Sequence, residues 1–165
     1  MKELTVESLP FAPFEKIGKD WMLISAGSPE KCSTMTASWG GLGIMWAKPV
    51  SAVVIRPQRH TLRFLEQNDT YTLSFFDEAH RGALNYCGSH SGGENAKIAA
   101  AGLTLVPDQN VPIFQEASLT LVCRKLYHQP LDPKGFADAS LDSQFYAEHD
   151  YHILFVGEVC KAYEA

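Results

Sequence analysis

The residues with the clearest chemical potential form the short stretch RPQRHT, from Arg56 to Thr61. Its two arginines each offer a planar set of donors that suits a phosphate or a carboxylate. Pro57 stiffens the turn, and Thr61 adds a hydroxyl group. The stretch lies between the apolar run SAVVI and LRFLEQN, so we expect a strand-to-helix turn in which Thr61 caps the helix and free N–H groups face the anion. The pattern predicts an anion site; a pair of surface arginines in a turn is the alternative.

A second unusual segment is TMTASWGGLGIMWAKP, from Thr34 to Pro49. Its first half is a predicted strand of small and hydroxyl-bearing residues, which lets a flat ring approach the backbone closely. The glycines that follow do not make a dinucleotide-binding fingerprint, because Trp46 stands where the third glycine belongs and WAKP cannot open a helix. The alternative interpretation is a glycine-rich turn between barrel strands, with Trp39 and Trp46 in the core.

The third segment, CGSHSGGENAKI, combines hydroxyl groups with flexible backbone. It is not a nucleophile elbow, because His90 occupies the central position and no strand precedes it. A phosphate-binding P-loop is also excluded, because no G-K-[ST] follows the glycines. We expect a loop containing Ser91 that leads into a helix bearing Lys97, able to contact a phosphate, a polyol chain or a ring carbonyl. An exposed flexible loop is the alternative.

Composition places the chain among ordinary globular proteins, with 45% hydrophobic and 20% charged residues. Its 165 residues suffice for one core, so we expect a single domain over residues 1–165. A net charge of −5 argues against broad nucleic-acid binding. We find neither a signal peptide nor an apolar run of the roughly 20 residues needed to span a bilayer, which predicts a cytoplasmic protein with no membrane contact.

Short β-type runs dominate the chain and predict a mainly β protein with short helices. The predicted strands are Trp21–Gly27, Ser33–Ser38, Ser51–Arg56, Thr70–Phe76, Ala117–His128 and Asp150–Tyr163. The predicted helices are LRFLEQN, Glu78–Cys87 and Glu94–Gly102, the last stopped by its glycine. Within the last two strands, Leu119, Leu121 and Cys123 share one face, while the final strand is apolar on both faces. This pattern favours a β-barrel carrying helical insertions over a βαβ fold.

Cysteines and histidines give little support for a metal site. The four cysteines form no C-x-x-C pair, and Cys123 and Cys160 lie in apolar runs typical of reduced core residues. His149 and His152 flank Asp150, but a strand beginning at Asp150 would point the two imidazoles to opposite sides. We therefore predict no bound metal.

Taken together, MTASWGGLGIMWAKPVSAVVIRPQRHT followed by YTLSFF resembles the flavin reductase-like family, and its flavoredoxin-type members especially. The resemblance runs from about Lys31 to Leu103 and extends more weakly over the final DYHILFVGEV. It implies an FMN-binding split β-barrel, usually a homodimer with FMN near the subunit interface.

The resemblance also implies three groups of FMN-binding residues. Those that line the isoalloxazine ring are Thr34, Met35, Thr36, Ala37, Ser38 and Trp39. Those that hold the phosphate and its surroundings are Arg56, Gln58, Arg59 and Thr61. Those that contact the cofactor from the later loop are Ser91, Gly92 and Lys97. Relatives often carry S-G-R-D-x-x-K where this chain has SGGENAK, so Gly93 and Glu94 depart from the family pattern.

The implied activity is NAD(P)H-dependent oxidoreduction in which the cofactor performs the redox chemistry. A reduced nicotinamide would stack on the flavin, and an unidentified electron acceptor would receive the electrons. Lys97 is the expected source of positive charge near the ring, and no dedicated catalytic residue is evident. Two alternatives remain open: a non-enzymatic FMN electron carrier, and a binding module for another phosphorylated ligand.

Overall fold

Eight strands form one antiparallel sheet in the computed structural model, which describes residues 1–6, 9, 12–107 and 109–164. The strands follow the spatial order β3-β2-β6-β7-β8-β5-β4, and β1 adds to β8. Register shifts interrupt the pairing of β7 with β8, and such irregularities bend long strands. The strands are β1 Lys2–Leu4, β2 Met22–Ser28, β3 Lys31–Ala37, β4 Gly40–Met45, β5 Lys48–Ile55, β6 Thr70–Phe75, β7 Leu119–Pro130 and β8 Ile153–Glu164.

Short helices connect the strands. Those of the described residues are α1 Pro13–Glu15, continued by a wider helical turn over Lys16–Asp20, α2 Thr61–Gln67, α3 Arg81–Ser89, α4 Glu94–Ala100 and α5 Ala139–Phe145. A 3₁₀ turn, Glu78–His80, leads into α3, so the helix predicted over Glu78–Cys87 is confirmed as two pieces. Gly102 has a φ of 75° just beyond α4, which confirms its predicted role in stopping that helix.

Two apolar clusters make up most of the core. The larger lies within the curved sheet and includes Leu121, Cys123 and Phe155, with Leu119 packed against it. This confirms the face predicted for β7. The smaller cluster lies between β2, β3 and helices α3 and α4. Phe155 and Val156, on opposite faces of β8, are both buried, which confirms the predicted two-sided burial of that strand.

A buried polar network crosses the larger cluster. Tyr71 Oη and Ser51 Oγ are hydrogen-bonded at 2.7 Å, and Ser51 Oγ donates to Cys123 Sγ at 3.3 Å. Burial raises the pKa of Cys123 to about 12, so its side chain remains a thiol. Gly157, paired with Ser51 across β5 and β8, lies against the Tyr71 ring.

Between β7 and β8 the chain leaves the sheet as residues 131–152, which we call the arm. It contains the turn Pro133–Gly135 and helix α5, whose starts are capped by the carboxylates of Asp132 and Asp138. The base of the arm is closed by a 2.9 Å hydrogen bond from Leu131 N to His152 O. Helix α5 was not predicted, because its short sequence, ASLDSQF, has too few apolar residues to show a helical period.

One alternative is excluded and three further expectations are wrong. The excluded alternative is a glycine-rich turn with core tryptophans, because the segment contains a strand, β4, and Trp39 and Trp46 are exposed. Cys160 is exposed as well, although Cys123 is buried as predicted. The last strand begins at Ile153 instead of Asp150, because residues 131–152 belong to the arm. Thr61 does not cap α2: the helix already includes it, and its hydroxyl is hydrogen-bonded to Ser33 Oγ at 2.9 Å.

Candidate functional site

An open cleft of about 250 Å³ lies where β3 ends against the turn after β5 and the last residue of the arm. One wall is the end of β3 with the two residues beyond it. The other wall comes from the end of β5, the turn before α2, and the arm. The lining residues are Met35, Thr36, Ala37, Ser38, Trp39, Val54, Arg56, Arg59 and His152.

The β3 wall has small side chains near its end, and hydrogen bonds hold it firmly in place. Thr36 Oγ1 donates a 2.5 Å hydrogen bond to the Leu84 carbonyl of α3, and β3 pairs along its whole length with β2. Ala37 and Ser38 are among the smallest side chains, so the backbone is accessible to a flat ligand at that point. The wall therefore combines rigidity with room for a planar group.

Arg59 supplies positive charge to the cleft. Its Nη1 donates to the Gly88 carbonyl at the end of α3, 3.0 Å away, which fixes one side of the guanidinium group. Burial lowers the pKa of Arg59, although arginine remains protonated in proteins. The remaining guanidinium donors make Arg59 suited to a phosphate or carboxylate at the cleft.

Arg56 also lines the cleft, but its guanidinium group is bonded to the arm. Nη1 lies 2.5 Å from Asp150 Oδ2, and Nη2 donates to the Phe145 carbonyl at 2.9 Å. Gln58 donates to the same Asp150 oxygen at 2.8 Å. Hydrogen bonds from Gln58 and Arg56 lower the pKa of the Asp150 carboxyl, which is therefore ionised at neutral pH.

A cluster of aromatic side chains closes the cleft on the side of the arm. The Trp39 ring meets Phe145 edge-on at 5.2 Å between centroids and lies 5.2 Å from His152. His152 Nδ1 is hydrogen-bonded to Tyr146 Oη at 2.9 Å. Burial lowers the pKa of His152 to about 4, and the nearby Arg56 charge acts in the same direction against the opposing effect of Asp150. His152 is thus an uncharged ring at neutral pH.

Lys97 lies behind β3 rather than in the cleft. It is 6% exposed, and its Nζ donates to the Thr34 carbonyl at 2.5 Å and the His90 carbonyl at 3.2 Å. Burial lowers the pKa of this ammonium group. Lys97 ties α4 and the preceding loop to the strand that forms the cleft wall.

Comparison with known proteins identifies the family to which this architecture belongs. A family model described as a flavin reductase like domain matches residues 14–165. The chain belongs to the flavin reductase-like family. This finding and the sheet topology confirm the resemblance and the fold predicted from the sequence: a mainly β split barrel with short helices.

Solved structures of flavin reductase-like proteins share this fold. An FMN-binding domain of a flavin reductases-like enzyme from Shewanella baltica OS155 has a TM-score of 0.69 at 19% identity, covering 99% of this chain and 76% of that chain. A flavoredoxin from Desulfovibrio vulgaris (Miyazaki F) has a TM-score of 0.66 at 19% identity, covering 100% and 77%. An NADH:FAD oxidoreductase from Streptomyces globisporus C-1027 has a TM-score of 0.66 at 16% identity, covering 88% and 75%. No curated protein matches the chain significantly.

The thirteen residues implied by the flavin reductase-like resemblance fall into two groups. Seven of them meet at the cleft: Met35, Thr36, Ala37, Ser38, Trp39, Arg56 and Arg59. Six lie outside its lining. Thr34 and Thr61 are buried, and Gln58 is exposed and turned toward Asp150. Ser91 and Gly92 belong to the loop before α4, and Lys97 lies behind β3.

Two lining residues were absent from the predicted set, Val54 and His152. His152 was considered only as a metal ligand, and within the described residues no group of three or more His, Cys, Asp or Glu side chains is placed to hold a metal ion. The pairing of β5 with β8 shows where His152 lies. Ile153 pairs with Ile55, so the residue before β8 must lie beside the end of β5, where Arg56 follows.

Among the residues that the structure describes, none of the helices has the length and apolar character to cross a bilayer.

The lowered pKa of His152 predicts an acid-sensitive contribution to stability. The unfolded chain binds a proton near pH 6.5, whereas the folded chain binds it only near pH 4. Folding is therefore unpenalised at pH 7, and the penalty grows as the pH falls from 6.5 to 4. Urea unfolding at pH 7 and pH 4.5 should show the wild type losing about 2 kcal/mol more than H152N, in which the asparagine amide can still pair with Tyr146. Equal losses in the two proteins would contradict this assignment.

Proposed function

We propose that this protein is an FMN-dependent NAD(P)H oxidoreductase of the flavin reductase type. The observation that supports it best is the cleft itself, which places Arg59 beside the firmly held wall from Met35 to Trp39, where the small side chains of Ala37 and Ser38 leave room for a ring. A planar ring and an anionic group are the two chemical features of FMN, and the cleft offers a surface suited to each. The Shewanella baltica relative is described as FMN-binding, which favours FMN as the flavin.

Each part of the cleft has a separate role in this proposal. The β3 wall would hold the isoalloxazine ring through backbone groups, and Arg59 would hold the phosphate. Lys97 would act indirectly, by fixing the Thr34 carbonyl and hence the strand. Contacts from Gln58, Thr61, Ser91 and Gly92 would lie at the margin of the site or follow a rearrangement of the loop before α4.

Bound FMN would supply the redox chemistry, accepting a hydride from NADH or NADPH and passing electrons to an acceptor. The protein's own contribution is binding, orientation and exclusion of water. Trp39 and the uncharged His152 border the cleft, where a second planar group would have to enter. The charges of Arg59, across the cleft, and of Lys97, behind β3, favour negative charge near the β3 wall.

Anaerobic stopped-flow mixing tests the proposed activity. Protein reconstituted with FMN is mixed with NADH or with NADPH, and the visible flavin absorbance is followed. We expect bleaching by one of the two nucleotides much faster than that of free FMN under the same conditions. Retained FMN that only a chemical reductant bleaches would instead identify an electron carrier, the alternative left open by the sequence. A protein that retains no FMN would overturn the proposal.

We also propose that the protein is a homodimer that uses the exposed face of β4. This edge strand and the turn after it present Ile44 (75% exposed), Met45 (44%) and Trp46 (58%) to solvent. An apolar groove beside it is lined by Leu42, Pro49 and other apolar residues. Exposed apolar patches on an edge strand are typical of interaction surfaces.

The dimer proposal predicts that I44E will separate the subunits. A buried, unpaired carboxylate is too costly to keep in an apolar interface. Light scattering coupled to gel filtration should give twice the 18.3 kDa chain mass for the wild type and a single chain mass for I44E. Q67E, which adds the same charge to an exposed position on α2, should remain dimeric. A monomeric wild type would disprove the proposal.

A further inference from the structure

Arg56 stands at the edge of the cleft, directly after β5, but its donors face the arm. One terminal nitrogen contacts the Asp150 carboxylate and the other donates to the Phe145 carbonyl. The guanidinium carbon lies 5.3 Å from the centroid of the Tyr146 ring, within the range of a cation–π contact. One side chain thus contacts the end of α5, the residue after it and the approach to β8.

The arm has little packing of its own to hold it in place. Tyr146 and His152 are buried, but none of the residues of α5 is. Other contacts to the rest of the chain come from Gln58, which donates to Asp150, and from Trp39, which packs on Phe145 and His152. All of these residues border the cleft or lie beside it. The connection between the arm and the barrel is therefore concentrated where a ligand would bind.

We propose that Arg56 is a positioning residue that locks the arm in place as the outer wall of the cleft. The proposal rests on the proposed function for the identity of the ligand. In this role Arg56 does not bind the cofactor phosphate, which is left to Arg59. Because Asp150 balances the charge of Arg56, the locked arm presents the uncharged ring of His152 to the reactant that enters, beside Trp39 of the β3 wall.

Two features of the contacts favour this role over phosphate binding. Both terminal nitrogens are already engaged, one of them in a partly buried ion pair with side-chain exposures of 28% and 22%. Turning toward an anion in the cleft would break the ion pair and leave the Phe145 carbonyl without its donor. Arg59 needs no such exchange, since a single terminal nitrogen is bonded to a carbonyl.

Hydrogen exchange of the ligand-free protein, followed by mass spectrometry, tests the lock independently of any flavin. In the wild type the amides of Tyr146 and His149 are bonded within the arm, each at 2.9 Å. We expect R56A and D150N each to speed exchange in residues 139–150 about fivefold or more, with no change in β6. The double variant should add little to either single variant, because both remove the same contact. K48A, which breaks the ion pair to Glu158 on the sheet, should leave the arm unchanged.

Flavin affinities distinguish positioning from phosphate binding. If Arg56 acts through the arm, R56A and D150N should weaken FMN and riboflavin by similar factors, and R56K should restore little because lysine cannot bridge Asp150 and Phe145 together. Unchanged exchange in the arm of D150N would overturn the proposal. So would an R56A variant that loses FMN affinity while keeping riboflavin affinity. If the wild type binds neither flavin, the proposed function fails, and the exchange experiment still decides the lock.

Discussion

Replacing Arg59 with alanine is expected to raise the Kd for FMN about 10- to 100-fold and to leave the Kd for riboflavin within about twofold. Hydrogen bonds from a charged donor to a charged acceptor contribute about 1.5–3 kcal/mol, which corresponds to this range. Riboflavin lacks the phosphate, so it should not register the loss. Quenching of flavin fluorescence measures both constants on the same protein samples.

The Arg59 experiment has a matched control in R63A. Arg63 is an exposed cation of the same charge in the first turn of α2, four residues after Arg59, and it does not line the cleft. Its removal should change neither Kd by more than about twofold, since exposed charges contribute little at a distance. An equal loss for both flavins in R59A would show that Arg59 shapes the wall instead of binding the phosphate. Unchanged FMN binding would refute the phosphate assignment outright.

Replacing Gly157 with alanine is expected to lower the free energy of unfolding by roughly 3 kcal/mol or more. The added Cβ would lie 2.4 Å from Tyr71 Oη and 2.8 Å from two ring carbons, closer than atoms can approach. Tyr71 is 1% exposed and hydrogen-bonded to Ser51, so it cannot move away without breaking that bond and disturbing packed neighbours. Overpacking of a core costs about 1–3 kcal/mol, and an unpaired buried hydroxyl adds a similar amount.

Urea unfolding of G157A, Y71F and the double variant tests this explanation. Y71F removes the atom nearest to the new methyl group, so G157A should cost less in the Y71F background than in the wild type. If G157A does not fold, recovery of folding in the double variant would give the same answer. G41A is the control, because no atom lies within 4 Å of its added Cβ. Equal costs for G157A in both backgrounds would show that the clash with Tyr71 Oη is not the cause.

Much of the fold is readable from the sequence where burial imposes a regular pattern. Strands such as β5 and β8 carry continuous apolar runs, because both of their faces are covered. Strand β4 escapes detection because half of its residues are glycines and its exposed edge position imposes no alternation. The short helix α5 escapes for a similar reason, since none of its side chains is buried. A strand or helix can be recognised from a local sequence pattern only where its burial in the core restricts the residues that it can contain.

The candidate site could be predicted only in part, because some of its contacts join residues that are far apart in the chain. The β3 wall and Arg59 are local features, and their types alone suggested a ring and an anion. The partnership of Arg56 with Asp150 joins residues 94 positions apart in the chain, and no local signal announces it. Lys97 is a second example. Its place on a helix after the loop was predicted from the sequence, but only the fold shows that it bonds to the Thr34 carbonyl behind the wall.

The most direct measurement is a crystal structure of the protein grown with FMN. The account predicts the isoalloxazine ring against Met35 to Trp39, the phosphate within hydrogen-bonding distance of the Arg59 guanidinium group, and Arg56 still bonded to Asp150. A flavin seated elsewhere on the molecule, or a phosphate held by Arg56 with Arg59 turned away, would contradict it.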